Sequence, residues 1–153
     1  MTIRLASVAD AEGICAAHQA SVRGLCAADY SPTEIEAWVG RLRPDGYVRS
    51  ISGERMWVAD EHGSILGFAA RSGDEIRAVY VRPEVARQGV GRRLLQAAEA
   101  SARAEGVALL RLDASVTAVP FYEQMGYVIR ARGVHRLSDG TEIPSATMEK
   151  QLL

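Results

Sequence analysis

The chain has 153 residues, almost half of them apolar, which fits one domain with one core and excludes a disordered chain. Its 18 Lys plus Arg against 19 Asp plus Glu leave a formal charge of −1, without the basic surplus of a general nucleic-acid binder. Cys15 and Cys26, three His and no Cys-x-x-Cys argue against a zinc site. No apolar run approaches a membrane span, so a single cytoplasmic domain over 1–153 is expected, without membrane or metal.

Thr2–Ala6 alternates like a short strand. Residues 8–25 carry Val8, Ile14, Ala17, Val22 and Leu25 at helical spacing. Ser31-Pro-Thr-Glu34 is a helix start: serine caps, proline takes the first position, and Glu34 closes a capping box. Ile35, Trp38 and Val39 then fall on one face, and Pro44 opens a shorter helix through Ile51. After Gly53 the period becomes that of strands, with turns at His62-Gly63-Ser64 and Ser72-Gly73-Asp74. Residues 89–105 read as a helix with Leu94, Leu95, Ala98 and Ala102 inward, ended by Gly106. Residues 107–114 are nearly continuously apolar, so a strand buried on both faces is expected. A short helix over 117–125 and two strands around Ser138-Asp139-Gly140 complete the chain. The order β-α-α-β-β-β-α-β-α-β-β indicates an α/β or α+β fold with a mixed sheet.

Chemistry concentrates in VYVRPEVARQGVGRRLL, residues 79–95. A strand leads through Arg87, Gln88, Gly89, Val90, Gly91 and Arg92 into a helix. The first turn of a helix offers free N–H groups and partial positive charge, glycines admit a bulky anion, and arginines add charge-assisted bonds. A pyrophosphate fits that arrangement; plain chain reversal fits it too. The Lys-Ser/Thr ending of a P-loop is absent, as is the third glycine of a dinucleotide fold.

The segment resembles the acetyl-CoA pyrophosphate loop of the GCN5-related N-acetyltransferases, Gln/Arg-x-x-Gly-x-Gly/Ala. Gly89 and Gly91 are in register, and Ala86 stands where Gln or Arg is usual. A second segment, SVTAVPFYEQMGYV (115–128), resembles the family's Asn-x-x-Ala-x-x-Phe-Tyr-x-x-x-Gly-Phe, with Ser115 in place of Asn. The element order agrees over the whole chain. YSPTEIEAW and HRLSDGTEIP look like a bacterial subgroup of the family.

The resemblance implies the family's mixed, mostly antiparallel sheet, acetyl-CoA as donor and a primary amine as acceptor. It implies backbone contacts to the pantetheine arm and thioester at Val79, Tyr80 and Val81, and coenzyme contacts at residues 87–92, Ser115 and Tyr122. Tyr122 becomes the acid that protonates the leaving thiolate, a transfer uphill by about 2 kcal/mol in water. Glu75 becomes the base, placed by strand alternation on one face with Arg77, Val79 and Val81; a surface charge beside the Gly73-Asp74 turn, with a water chain as base, is the alternative. His135 reads as a hydrogen-bonded strand histidine or a second candidate base. Tyr30 and Trp38 either shape the acceptor site or belong to the core, and Arg41 and Arg43 read as surface. The other functional reading is a non-catalytic acyl-CoA-binding module. A dimer through the C-terminal strands rests on family analogy alone.

Overall fold

The capping box at Ser31 forms as its residues dictate. In the computed structural model, which describes residues 1–153, Ser31 Oγ accepts the Glu34 N–H at 3.1 Å and Glu34 Oε1 accepts the Ser31 N–H at 2.8 Å. That cap starts α2 (Pro32–Val39), between α1 (Ala11–Leu25) and α3 (Pro44–Gly53). The Pro44 helix is thus a full third element before the sheet resumes. Strand β1 (Thr2–Leu5) precedes the helices; β2 (Arg55–Glu61), β3 (Ser64–Ser72) and β4 (Glu75–Val81) follow as a meander. Then come α4 (Val90–Ala104), β5 (Leu109–Ser115), α5 (Val119–Gln124), β6 (Val128–Arg136) and β7 (Glu142–Gln151). The seven strands form one sheet in the order β1-β2-β3-β4-β5-β7-β6, antiparallel except between β4 and β5.

Helix α4 lies on one face. Leu94, Leu95, Ala98 and Ala102 are fully buried, and they pack with Ile76, Leu110, Leu112 and Met148. Burying a leucine this way contributes about 1.5–3 kcal/mol. On the opposite face α1 packs Ile14 and Ala17 against Val58, Phe68 and Ala70. Trp38, Ile35 and Val39 of α2 join Leu137 and Ile143 of the last hairpin in a third cluster, so Trp38 is core. Cys15 and Cys26 are free and buried. No helix is long and apolar enough to cross a membrane.

Two expectations are corrected. Strand β5 is buried on one face only: Leu110, Leu112 and Ala114 point inward, while Leu109, Arg111 and Asp113 are exposed. Helix α1 packs over β3 and β4, leaving this part of the sheet uncovered on its side. Strand β4 is bulged. Ala70 pairs with Ala78 but Arg71 pairs with Ile76, leaving Arg77 as the extra residue. Alternation is therefore broken. Ile76, Val79 and Val81 pack beneath α4, while Ala78 and Tyr80 pack on the α1 side. Glu75, opposite in phase to Ile76, turns away from Val79 and Val81.

Candidate active site

The glycine loop is held open by its backbone. Arg87 and Gly89 both adopt left-handed conformations, with φ of 63° and 85°. None of the N–H groups from Arg87 to Arg92 donates to a backbone carbonyl, so a run of unpaired donors lies where α4 begins. Gly91 lies against β4 and α5: a Cβ there would stand in ordinary contact, 3.4 Å from the Phe121 ring and 3.7 Å from Val81 Cγ1. Gln88 turns its side chain back, Nε2 donating to the Glu84 carbonyl at 3.2 Å. Arg87, Arg92 and Arg93 have no acidic partner, so their charge is free for an anion.

The loop continues from a gap in the sheet. Strands β4 and β5 pair only at Glu75 with Arg111 and Ile76 with Leu112. Beyond those two rungs β4 stays with β3, through Val79, Tyr80 and Val81, and has no partner on its other edge. The resulting cleft is lined by Val79 and Tyr80 on one side and by Asp113, Ser115 and Tyr122 on the other. Ser115 Oγ accepts the Ala118 N–H at 3.3 Å, which caps the turn leading into α5 and leaves the hydroxyl proton free.

Tyr122 is buried, and burial alone raises its pKa well above that of an ordinary phenol. Its ring packs edge-on to Phe121 and Tyr127. The Tyr80 phenol is raised likewise, first by burial and then by the neighbouring Tyr122. The Tyr80 ring lies 4.1 Å from His18, between centroids, and parallel within 26° to Phe68. The resemblance implied a role for the Tyr80 backbone; the bulge in addition turns its side chain to the α1 side, against His18 and Phe68.

Glu75 sits at the closed end of the cleft. Oε1 pairs with Arg77 at 3.3 Å and Oε2 with Arg111 at 3.2 Å, so both carboxylate oxygens are engaged and neither meets Tyr122. The structure instead brings His135 to β5, where Nδ1 lies 3.2 Å from Asp113 Oδ2. The Asp113 side chain was missed because its strand read as buried. Strand alternation alone, with Arg111 two residues earlier, held the signal for an exposed edge. Tyr30 braces the same region: its hydroxyl accepts the Val116 N–H at 2.9 Å and donates to the Pro144 carbonyl at 2.5 Å. Arg41 and Arg43 are at the surface, Arg41 reaching Ser138 Oγ at 3.4 Å.

A family model described as an acetyltransferase (GNAT) domain matches residues 26–152. The chain belongs to the GNAT acetyltransferases. This acetyltransferase is 30% identical over 118 residues to the uncharacterized N-acetyltransferase YafP of Escherichia coli K12, covering 77% of this chain and 75% of YafP. It superposes with a TM-score of 0.92 on a GCN5-related N-acetyltransferase structure from Rhodopseudomonas palustris, at 32% identity, covering 98% of this chain and 94% of that one. YncA from Salmonella typhimurium, solved with acetyl-CoA, shares the fold at a TM-score of 0.76 and 22% identity, over 100% of this chain and 94% of its own. So does the PaiA N-acetyltransferase of Thermoplasma acidophilum, solved with coenzyme A, at 0.75 and 21%, over 99% of each chain. The acetyltransferase thus has the sheet of its family, and the interrupted pairing of β4 and β5 lies inside the matched region.

Proposed function

We propose that this acetyltransferase carries the acetyl group of acetyl-CoA to a primary amine by direct attack of the amine on the thioester. One observation carries the reading: an unpaired β4 edge is followed, after one short turn at Pro83–Val85, by the free N–H groups of residues 87–92, and Tyr122 lines the cleft beside that edge. An extended pantetheine arm satisfies the first feature as an added strand, and a pyrophosphate satisfies the second. Two relatives of the same fold are solved with coenzyme A or acetyl-CoA, which supports the same donor here.

Each residue then has a task. Val79, Tyr80 and Val81 present main-chain groups to the arm and the thioester carbonyl. Residues 87–92 hold the pyrophosphate, with Arg87 and Arg92 supplying charge where Ala86 supplies none. Ser115 has one hydroxyl proton to offer the arm. Tyr122 protonates the departing thiolate. Burial makes its phenol a weaker acid, and the same burial makes an unsolvated thiolate a stronger base, so the two shifts act in opposite senses on the transfer.

The test is a coenzyme-release assay with acetyl-CoA and a panel of primary amines: alkylamines, diamines, amino acids and lysine peptides. Amine-dependent thiol release is expected. Tight coenzyme binding without release for any amine would reduce the protein to an acyl-CoA-binding module.

A further inference from the structure

The open face of β5 carries a pair of side chains that the transfer as described leaves unused. Asp113 lines the cleft together with Tyr122, and its Oδ2 lies 3.2 Å from His135 Nδ1, reached from β6. Both side chains meet solvent: Asp113 is 34% exposed and His135 51%. We infer that Asp113 and His135 receive the acceptor amine and that His135 deprotonates it, through Nε2, while Asp113 holds the imidazole in place. The inference rests on the acetyl-transfer reading above and names the residues on its acceptor side.

Three observations support it. A carboxylate only accepts hydrogen bonds, so the Asp113 contact puts the imidazole proton on Nδ1 and leaves the Nε2 lone pair free. The negative charge of Asp113 at the cleft wall favours a cationic ammonium and the imidazolium formed when it gives up a proton. The competing base, Glu75, has each oxygen in an ion pair, with Arg77 and Arg111. Apart from Arg132 of β6, which is exposed and makes no ion pair, the charged groups on the elements around the pair are already occupied. Arg111 pairs with Asp74 as well as Glu75, Glu149 of β7 pairs with Arg130, Arg136 pairs with Glu142, and Asp29 accepts from Thr117. Arg41, from beyond α2, bonds Ser138 at the hairpin tip.

The step balances. The ammonium passes one proton to His135 Nε2. The freed nitrogen lone pair forms the C–N bond at the thioester carbonyl, and the C–S bond breaks with its electron pair on sulfur. The thiolate takes the Tyr122 proton, the nitrogen's surplus proton restores the phenol, and His135 releases its own proton to water. The products are the amide, the free thiol and one proton.

The experiment is kcat/KM for a primary alkylamine against pH, for wild type, His135→Gln, Asp113→Asn and Glu75→Gln, with coenzyme A affinity by calorimetry as the control for folding. His135→Gln should lower the rate about 100-fold or more at pH 7, with coenzyme affinity unchanged. The deficit should shrink as pH approaches the amine's own pKa, about 10.4 for an alkylamine of the lysine type. Asp113→Asn is an independent arm, because its amide can donate to Nδ1, moving the imidazole proton onto Nε2. It should lower kcat and also raise KM for the amine. Wild-type turnover with a His135→Gln rate close to wild type, or a larger loss in Glu75→Gln, overturns this inference and leaves acetyl transfer standing. Absence of turnover by wild type with every amine overturns both.

Discussion

The Tyr30 hydroxyl donates to the Pro144 carbonyl at 2.5 Å, joining groups 114 residues apart in the chain. The same oxygen accepts the Val116 N–H, so one phenol ties the connection between α1 and α2 to β7 and to the turn before Tyr122. Tyr30 is buried. Tyr30→Phe keeps the ring and strands a backbone donor and a backbone acceptor. Stability should fall by about 1–3 kcal/mol, read as a lower urea midpoint with unchanged slope. An unchanged midpoint would mean that water replaces the hydroxyl at no cost.

Gly91→Glu places bulk and negative charge where α4 begins. The Cβ would meet the Phe121 ring in ordinary contact, at 3.4 Å, so the change adds its charge beside the proposed anion site. Coenzyme A affinity should fall at least tenfold, about 1.4 kcal/mol. Equal affinity in calorimetry, with the fold intact, would remove the pyrophosphate from this loop.

Tyr122→Phe removes only a hydroxyl. The ring contacts with Phe121 and Tyr127 persist, so stability and coenzyme binding should barely move. Turnover should fall by roughly 10²–10⁴-fold, the usual worth of a positioned acid. A variant that keeps more than about half the rate would leave Tyr122 as packing, with water protonating the thiolate.

His18 sets an acid limit on stability. Burial, aided by the charge of Arg41, pushes its pKa down to about 3. The unfolded chain takes up that proton near pH 6.5. From about pH 6.5 down to about 3 the unfolded state therefore holds more protons, and stability drops as pH falls, by at most about 1.4 kcal/mol per unit. Above pH 6.5 the contribution is complete. Asp10, held below the usual carboxylate range first by its hydrogen bond to Arg4, acts in the same sense but only below about pH 4. Urea melts between pH 7.5 and 4.5 on wild type and His18→Phe check this. The variant should show the shallower dependence; equal slopes would clear His18 of the effect.

How much of this was legible depended on the range of the interactions. Ser31 and Glu34 are three residues apart, so their reciprocal cap could be read directly. The α4 face of Leu94, Leu95, Ala98 and Ala102 is periodic, and Gly89 and Gly91 mark a helix mouth by spacing alone. Other features depend on which strands become neighbours. The bulge at Arg77 exists only in the pairing of β4 with β3, and it undid the face assigned to Glu75. The apolar run through β5 resembled a strand covered on both sides, yet no helix lies over Arg111 and Asp113. His135 meets Asp113 because the last hairpin brings residue 135 back across the sheet, a contact over 22 positions with no local signature. Arg71, only 1% exposed, pairs with Glu105, 34 positions on, another contact with no local signature.

With only two rungs joining β4 to β5, the sheet behaves mechanically as two plates meeting at a short seam, β1-β2-β3-β4 on one side and β5-β7-β6 on the other. Helix α4 bolts them together from one side, since its leucines pack in one cluster with Trp57 and Ala69 of the first plate and Leu110 and Met148 of the second. On the other side α2 and Tyr30 join Tyr80 of β4 to Ile143 and Pro144 of β7, but no helix covers β5. Whatever lies along the free edge of β4 therefore acts as mortar. A coenzyme present at a hundred times its dissociation constant should stiffen the joint by about 2.7 kcal/mol, and heat applied without it should part the plates at the seam first.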